Sequence, residues 1–185
     1  MLPLLLIIAV AVKLGSPGPV LFRQQRVGEL GREFEILKFR SMTVNAEQKG
    51  PAVTAMGDSR VTGMGAILRR TKLDELPQLW NVVKGDMSLV GPRPEHPKYV
   101  ALYTPAQRAV LSVAPGMTSP TSLKFRHEEE ILGRQPDPER FYVEQLMPEK
   151  LSIDLNYVEN LSMRNDLRLI FSSVIAMLKT QAGAR

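Results

Sequence analysis

The strongest hydrophobic signal lies at the start of the chain, where the first twelve residues read MLPLLLIIAVAV and are followed by Lys13. As a helix, this stretch reaches roughly 18 Å at about 1.5 Å per residue, whereas the hydrocarbon core of a bilayer is roughly 30 Å thick. It is therefore too short to cross a membrane, and it lacks the basic region and cleavage site of a signal peptide. A membrane-inserted hydrophobic helix and a buried core helix both fit the pattern.

Alternating apolar and polar positions after the turn Ser16-Pro17-Gly18-Pro19 predict a β-hairpin. Residues 20–27 and 33–42 form its strands, and residues 28–31, with a glycine at each end, connect them. Along one face of the second strand the side chains change from apolar to basic: Phe34, Ile36, Lys38 and Arg40. That face either lines a cleft that binds phosphate groups, or carries solvated charges that prevent edge pairing.

The candidate catalytic residues are concentrated in residues 69–94, which read RRTKLDELPQLWNVVKGDMSLVGPRP. The pattern predicts a helix that begins near Asp74, with Pro77 in its first turn, where a missing N–H costs nothing. Apolar residues at helical spacing predict a buried stripe, opposite an exposed polar face that presents the acids: Leu73, Leu76, Trp80 and Val83, against Asp74, Gln78 and Asn81. The helix dipole is expected to keep Asp74 ionised, so that it is available as a nucleophile.

Arg93 stands between two prolines, Pro92 and Pro94, which restrict its backbone and hold its guanidinium in a nearly constant direction. A guanidinium oriented in this way suits a phosphate ligand. A capped amphipathic helix followed by a proline-rich turn, without any catalytic role, fits the same residues equally well on physical grounds.

Composition narrows the class of protein. The chain of 185 residues is long enough for one domain with a hydrophobic core. It has no cysteines for disulfides or thiolate metal sites, and its two histidines are too few for a histidine-rich zinc site. The net charge of +5 and pI near 9.6 indicate an anionic partner: nucleic acid, a membrane surface or a phosphorylated substrate. The low aromatic content of 6% and the lack of a nucleic-acid motif disfavour nucleic acid.

Three blocks of sequence together carry a family resemblance: SPGPVLFRQQRVG, ILKFRSM and LDELPQLWNVVKGDMSLVGPRP. In this order they resemble the bacterial sugar transferases called monotopic phosphoglycosyl transferases, and the similarity runs from about Pro3 to the last helix. The resemblance implies a single α+β domain, mostly helical, with a small antiparallel hairpin. Residues 1–14 would be a re-entrant-type membrane segment and residues 15–185 the catalytic domain. Pro3 matches the proline at which the family's re-entrant helix breaks, so the first half of that helix is expected to be missing here.

The resemblance also implies a reaction. Family members transfer a sugar phosphate from a nucleoside diphosphate sugar, here most simply a UDP-sugar, to a polyprenyl phosphate such as undecaprenyl phosphate. The transfer passes through a covalent aspartyl phosphate and initiates the assembly of polysaccharides or glycoconjugates. The protein would lie on the cytoplasmic face of the bacterial inner membrane, without nucleic acid as a partner. The resemblance leaves open whether it forms a homo-oligomer.

Roles for individual residues follow from the matched motifs. Asp74 is expected to be the nucleophile and, with Glu75, to bind Mg²⁺, while Glu75 also serves as a base on the acceptor side. Residues expected to bind the phosphorylated substrates are Lys38, Arg40, Arg69, Arg93 and Arg126. Arg126 lies in residues 119–133, where the sequence departs from the commoner family pattern, and it is expected to replace a family arginine.

A second class of function also fits parts of the sequence: a non-catalytic peripheral membrane-binding module. It would use residues 1–12, the basic surface and the last helix, whose apolar stripe otherwise packs into the core: Leu167, Ile170, Val174, Met177 and Leu178. Lipid binding alone gives no reason to place two adjacent acids in a basic pocket, so the Asp74 and Glu75 pair favours the enzyme. An aspartyl-phosphate phosphatase would share the nucleophile, but the Asp-x-Asp loop typical of that class is missing.

Overall fold

A computed structural model describes the main chain of residues 2–182 and the side chains of residues 3–177. Helices dominate it, in this order: α1 (Leu2–Gly15), α2 (Gly63–Thr71), α3 (Gln78–Lys84), α4 (Pro97–Val100), α5 (Pro120–Lys124), α6 (Glu128–Gly133), α7 (Pro138–Phe141), α8 (Met147–Glu159) and α9 (Met163–Ala182). Four short strands accompany them: β1 (Leu21–Val27), β2 (Glu33–Phe39), β3 (Ser88–Val90) and β4 (Gly116–Thr118). This arrangement confirms a mostly helical α+β fold.

The predicted hairpin is present. Strands β1 and β2 pair antiparallel, with Leu21 opposite Phe39 and Val27 opposite Glu33. Directly opposed residues share a face of the sheet, so Phe22 lies beside Lys38, and Arg26 lies beside Phe34. The basic end of β2 therefore faces the same way as Arg26 near the end of β1.

A second, parallel pair of strands was not predicted. Ser88 of β3 lies opposite Gly116 of β4, and Val90 lies opposite Thr118. The two segments approach so closely that a Cβ on Gly116 would lie 2.1 Å from the backbone nitrogen of Gly91. Only glycine allows this approach, which places the turn that carries Arg93 beside the segment that follows β4.

Two groups of buried side chains hold the described part of the chain together. The larger one joins the middle of the chain to α8: Val27, Val53, Tyr99, Val100, Tyr103, Val110, Leu132, Tyr142, Leu146, Met147 and Leu151. The smaller one joins α1 to the hairpin and α2: Ile8, Val12, Phe39 and Leu68. Members of both groups, among them Phe39 and Tyr99, line the main cavity.

Helix α1 agrees in part with both predictions for the N-terminal segment, a buried core helix and a membrane-inserted helix. Its Ile8 and Val12 are buried, as in a core helix, whereas Ile7 and Val10 on the other side are exposed. Among the described residues, no helix is both long enough and apolar enough to reach across a bilayer. Membrane insertion of residues 1–14 therefore stays a prediction.

The prediction that the apolar stripe along α9 packs into the core is wrong for part of that stripe. Leu167 and Val174 are exposed, whereas Ile170 and Met177 are half-buried, and the side chain of Leu178 lies outside the described residues. The helix contacts α2, α5 and the strands β3 and β4. Its outer apolar side is available to a membrane or a partner.

Arg60 holds the long loop at residues 43–62, which forms one wall of the cavity. Its buried guanidinium pairs with Asp58 at 2.6 Å and donates to the carbonyl groups of Ala46, Pro51 and Val53 at 3.0, 2.9 and 3.3 Å. A single side chain therefore ties together three backbone carbonyl groups within residues 46–53 of the loop.

Replacing Arg60 with glutamine is expected to lower the free energy of unfolding by about 2 kcal/mol, because buried carbonyl groups lose their donors. Limited proteolysis should cut the variant first within residues 43–62. The control is Arg23→Gln, since Arg23 forms only an exposed pair with Glu35 at 3.4 Å. Equal stability of Arg60→Gln and Arg23→Gln would contradict the role assigned to Arg60.

Candidate active site

The acid pair lies between two helices. Asp74 and Glu75 belong to a 3₁₀ turn, Leu73–Glu75, and α3 begins only at Gln78. The expectation of a helix starting near Asp74 is therefore wrong by one turn. Lys72 adopts a left-handed backbone, with φ of 59°, and reverses the chain between α2 and this turn. Asp74 consequently lacks the stabilisation that the first turn of an α-helix would give its carboxylate.

The predicted faces of α3 are inverted. Asp74, Gln78 and Asn81 are 5%, 0% and 2% exposed. In contrast, two members of the expected buried stripe, Trp80 and Val83, are 63% and 78% exposed. The other two, Leu73 and Leu76, precede α3 and are half-buried against the smaller core group. The acids are therefore not presented to solvent, as the helical pattern had predicted.

Asn81 explains this inversion. Its Oδ1 accepts a hydrogen bond from the backbone N–H of Leu37 at 3.0 Å, and its Nδ2 donates to the carbonyl of Glu35 at 2.8 Å. The side chain thus satisfies two backbone groups of β2 and turns the polar face of the helix towards the hairpin. These hydrogen bonds hold the turn that carries the acids against the basic end of β2.

Glu75 is the anchor of the site. Lys38 Nζ lies 3.2 Å from Glu75 Oε1, Arg93 Nη1 donates to Oε2 at 3.3 Å, and Arg93 Nη2 also bonds Oε1. Burial opposes its ionisation, but the charges of Arg93 and Lys38 outweigh burial and hold the pKa of Glu75 well below its usual value. A carboxylate with so low a pKa is a weak proton acceptor, which argues against the predicted base role.

The two cations respond differently to this environment. Burial lowers the pKa of Lys38 to about 8, although the charge of Glu75 opposes the shift. The charge of Glu75 raises the pKa of Arg93, which stays protonated. Lys38 is therefore the titratable member of the pair near neutral pH.

Asp74 differs from its neighbour. Burial and the charge of Glu75 raise the pKa of Asp74, while Lys38, Arg69 and Lys72 oppose the shift. Burial thus opposes the effect expected from local structure, and ionisation of Asp74 at neutral pH stays a prediction. Its Oδ1 is buried and has no hydrogen-bond partner among the described residues. A buried oxygen without a partner is costly unless a ligand or a movement of the side chain satisfies it.

The surroundings of Asp74 and Glu75 can be compared with the needs of the predicted Mg²⁺ site. No group of three or more His, Cys, Asp or Glu residues lies close enough to hold a metal within the part of the chain that is described. Both oxygens of Glu75 are already bonded to cations, whereas Oδ1 of Asp74 has no partner. The residues therefore fit an ion held by Asp74 together with substrate phosphate oxygens, and they do not fit one held by both acids.

A cavity of about 1740 Å³ opens beside the acid pair. Lys38, Glu75, Arg93 and Arg69 line it, together with the loop held by Arg60, whereas Asp74 does not. Arg69 donates from Nε and Nη2 to Oε1 of Glu129, at 3.1 and 2.6 Å. The structure thus brings three of the five predicted cationic residues to the edge of the acid pair.

The other two predicted cationic residues line the same cavity but bind backbone groups. Arg40 Nη2 donates to the carbonyls of Val12 and Ser16, at 3.2 and 2.7 Å, and so satisfies the C-terminal end of α1. Arg126 Nη2 donates to the carbonyl of Ala176 in α9 at 2.9 Å. For Arg40 this geometry indicates a structural contact, because the side chain is buried against the helix end.

Sequence reasoning missed several charged residues that line this cavity. Arg26 pairs with Glu95 at 3.2 Å, Tyr142 donates to the other oxygen of Glu95, and Lys150 pairs with Glu128 at 2.8 Å. The alternation along β1 carries the signal for Arg26, because it lies on the same face of the hairpin as Lys38. Lys150 carries no local signal, since α8 is far away in sequence.

Glu75 is held between two fixed cations, beside Asp74 and at the edge of a large cavity, an arrangement that suits phosphorylated ligands. The family profile of bacterial sugar transferases matches residues 1–180. The chain belongs to the bacterial sugar transferase family.

Three relatives illustrate the similarity. The UDP-glucose:undecaprenyl-phosphate glucose-1-phosphate transferase of Caulobacter vibrioides is 40% identical over 181 residues, covering 96% of this chain and 64% of that protein. The UDP-N-acetylgalactosamine-undecaprenyl-phosphate N-acetylgalactosaminephosphotransferase of Aeromonas hydrophila is 39% identical, over 99% of this chain and 41% of the relative. The exopolysaccharide production protein PSS of Rhizobium leguminosarum bv. phaseoli is 38% identical, over 98% of this chain and 88% of its own length.

Proposed function

We propose that this protein transfers a sugar phosphate from a UDP-sugar to a polyprenyl phosphate, with undecaprenyl phosphate as the acceptor. The observation that carries the proposal is the arrangement of Lys38 and Arg93 on Glu75, next to Asp74 and at the edge of the cavity. Such an arrangement suits two phosphorylated substrates that repel each other. The names of two relatives, which specify a UDP-sugar and undecaprenyl phosphate, support the same donor class and acceptor.

The reaction proceeds by covalent catalysis. A carboxylate oxygen of Asp74 attacks the phosphorus that bears the sugar, and the bond to the nucleoside monophosphate breaks. A phosphate oxygen of the polyprenyl phosphate then attacks the aspartyl phosphate, which releases the carboxylate and forms the lipid diphosphate sugar. Because Asp74 does not line the cavity, its side chain must turn towards the donor before the first step.

Lys38 and Arg93 neutralise the phosphates in both steps, and Glu75 keeps these two cations in place. Its two oxygens hold Lys38 and Arg93 in one orientation, so little reorganisation is needed when the donor binds. We therefore assign Glu75 a positioning role, in place of the base and metal-ligand roles expected from the sequence. Mg²⁺, bound through Asp74 and the donor diphosphate, would supply further neutralisation of the transferred group.

The membrane contact is also part of the proposal. The exposed apolar side of α1 and the basic Lys13 in its last turn fit insertion at the cytoplasmic face of the inner membrane. The polyprenyl acceptor would then reach the cavity from the bilayer.

The decisive experiment measures nucleoside monophosphate release from a panel of UDP-sugars, with Mg²⁺ and undecaprenyl phosphate in detergent. Release from one donor, dependent on the lipid phosphate, is the expected result. If no donor reacts while the protein binds vesicles of anionic lipid tightly, the enzyme proposal fails and the peripheral membrane module replaces it.

The shifted pKa values predict a bell-shaped dependence of kcat/KM on pH. Asp74 must be ionised to attack, and its pKa is raised above the usual 3.8, so activity falls as the pH drops through that raised value. Lys38 must be protonated to bind phosphate, so activity falls again as the pH rises through about 8. Lys38→Arg should remove only the alkaline fall, since arginine stays charged. An unchanged alkaline limb in this variant would assign the titration to another group.

A further inference from the structure

The part of the chain that departs from the commoner family pattern, residues 119–133, contributes an acid to the cavity. Glu129 lies in α6, and its Oε1 accepts two hydrogen bonds from Arg69, at 3.1 and 2.6 Å. Its backbone carbonyl also accepts a hydrogen bond from the N–H of Met56 at 2.8 Å, within the loop that walls the cavity. Glu129 is therefore fixed at its main chain, while its side chain reaches the basic side of the acid pair.

Arg69 is placed where a phosphate of the donor would be held. It lines the same cavity as Lys38 and Arg93, and its charge acts on the carboxyl of Asp74. Two of its three guanidinium nitrogens are taken by Glu129, and the third, Nη1, contacts Ser41 Oγ at 3.5 Å. An incoming phosphate therefore meets a guanidinium in which two nitrogens, Nε and Nη2, already donate to a carboxylate.

The two carboxylates that hold cations in this site differ in how firmly they do so. The side chain of Glu75 is 14% exposed and is bonded to two cations, so breaking its contacts would leave buried charges unpaired. The side chain of Glu129 is 41% exposed and bonds one cation, which is itself 20% exposed. A partly exposed pair with one cation is held less firmly than the buried group around Glu75, and it can be exchanged for a stronger ligand at lower cost.

We propose that Glu129 is an internal competitor for the phosphate site on Arg69, which the donor diphosphate displaces when it binds. This inference rests on the proposed function, because it takes Arg69 to bind the donor. A diphosphate carries more charge than the carboxylate and can replace it on the guanidinium. A weaker anion gains less from the exchange, so Glu129 makes the site selective for the fully charged group.

Inorganic pyrophosphate titrated calorimetrically into the full chain tests this proposal without turnover. Glu129→Gln keeps the shape of the side chain but removes its charge, and it should tighten pyrophosphate binding about two- to fivefold, as expected when one partly exposed ion pair no longer competes. The matched control is Glu130→Gln, because Glu130 is adjacent, lines the same cavity and bonds His127 at 2.9 Å instead of Arg69. It should leave the affinity for pyrophosphate unchanged.

A double-mutant cycle then shows whether the effect passes through Arg69. In the Arg69→Gln background, Glu129→Gln should no longer change pyrophosphate binding. Weaker or unchanged binding in Glu129→Gln alone would overturn the proposal and show that the carboxylate positions Arg69 for the ligand. An equal gain in Glu130→Gln, or a gain that persists without Arg69, would overturn it in favour of a general charge effect.

The same titration separates this proposal from the proposed function. If Glu129 does not compete, the pyrophosphate affinities contradict the inference while nucleoside monophosphate is still released from the UDP-sugar. If the enzyme proposal fails, the release assay stays negative, although the variants differ in pyrophosphate binding as described.

Discussion

Replacing Asp74 with asparagine is expected to abolish sugar phosphate transfer, with a fall in rate of about four orders of magnitude or more. An amide has the size of the carboxyl group but is not a nucleophile, so no aspartyl phosphate can form. Stability should be unchanged or slightly higher, because burial already disfavours the charged form of Asp74, as its raised pKa shows. Nucleoside monophosphate release and thermal unfolding, measured on the same sample, check both expectations.

Intact mass spectrometry gives a more direct test of the covalent step. Wild-type protein mixed with the UDP-sugar, but without the lipid acceptor, should gain the mass of the sugar phosphate, and Asp74→Asn should not. The control is Asp137→Asn, since Asp137 caps α7 by accepting from the N–H of Arg140 at 3.0 Å, and asparagine caps equally well. Near wild-type transfer by Asp74→Asn would refute the assignment of the nucleophile.

Replacing Glu75 with glutamine is expected to have the second largest effect, on stability and on activity together. The change leaves Lys38 and Arg93 without a counter-charge in a largely buried site, which should lower the free energy of unfolding by about 3 kcal/mol. Activity should fall by about 100-fold or more, because the phosphate-binding groups lose their orientation. Urea unfolding and the release assay measure these two effects.

Two further measurements separate a positioning role for Glu75 from a purely structural one. Loss of the carboxylate removes the interaction that raises the pKa of Lys38, so the alkaline limb of kcat/KM should move to lower pH. Adding Lys38→Met to Glu75→Gln should restore part of the stability, because one uncompensated charge disappears. The control is Glu35→Gln, since Glu35 is half-exposed and pairs only with Arg23. Wild-type stability and an unmoved alkaline limb in Glu75→Gln would show that Glu75 does not hold the two cations.

Local patterns in the sequence predicted the elements whose partners are close along the chain. The hairpin of β1 and β2 followed from its alternation and its glycine-flanked turn, and the structure pairs those strands antiparallel. The acids, the adjacent cations and the proline-bounded Arg93 were identifiable because each lies within one continuous block. The parallel pair of β3 and β4 was missed, since each strand has only three residues and lies far from its partner.

Contacts between distant segments decided the rest of the site. The apolar spacing of α3 predicted that Trp80 would be buried, but Asn81 bonds backbone groups of β2 that lie 44 and 46 residues earlier, and these bonds turn the helix over. The same rotation buries Asp74 and raises its pKa, opposite to the local expectation. Hydrophobic spacing predicts which residues share a face, and it does not say which face meets a partner with unsatisfied hydrogen bonds.

The sequence by itself determined the chemistry available to this protein: an acid pair, cations at set intervals from it, no cysteine, and a basic balance of charge. Only the tertiary structure decided the role of each group, because the pKa of a charged group depends on its neighbours and its burial. It placed Lys38 and Arg93 on Glu75, left Asp74 Oδ1 without a partner among the described residues, and brought Glu129 to Arg69 across 60 residues of chain.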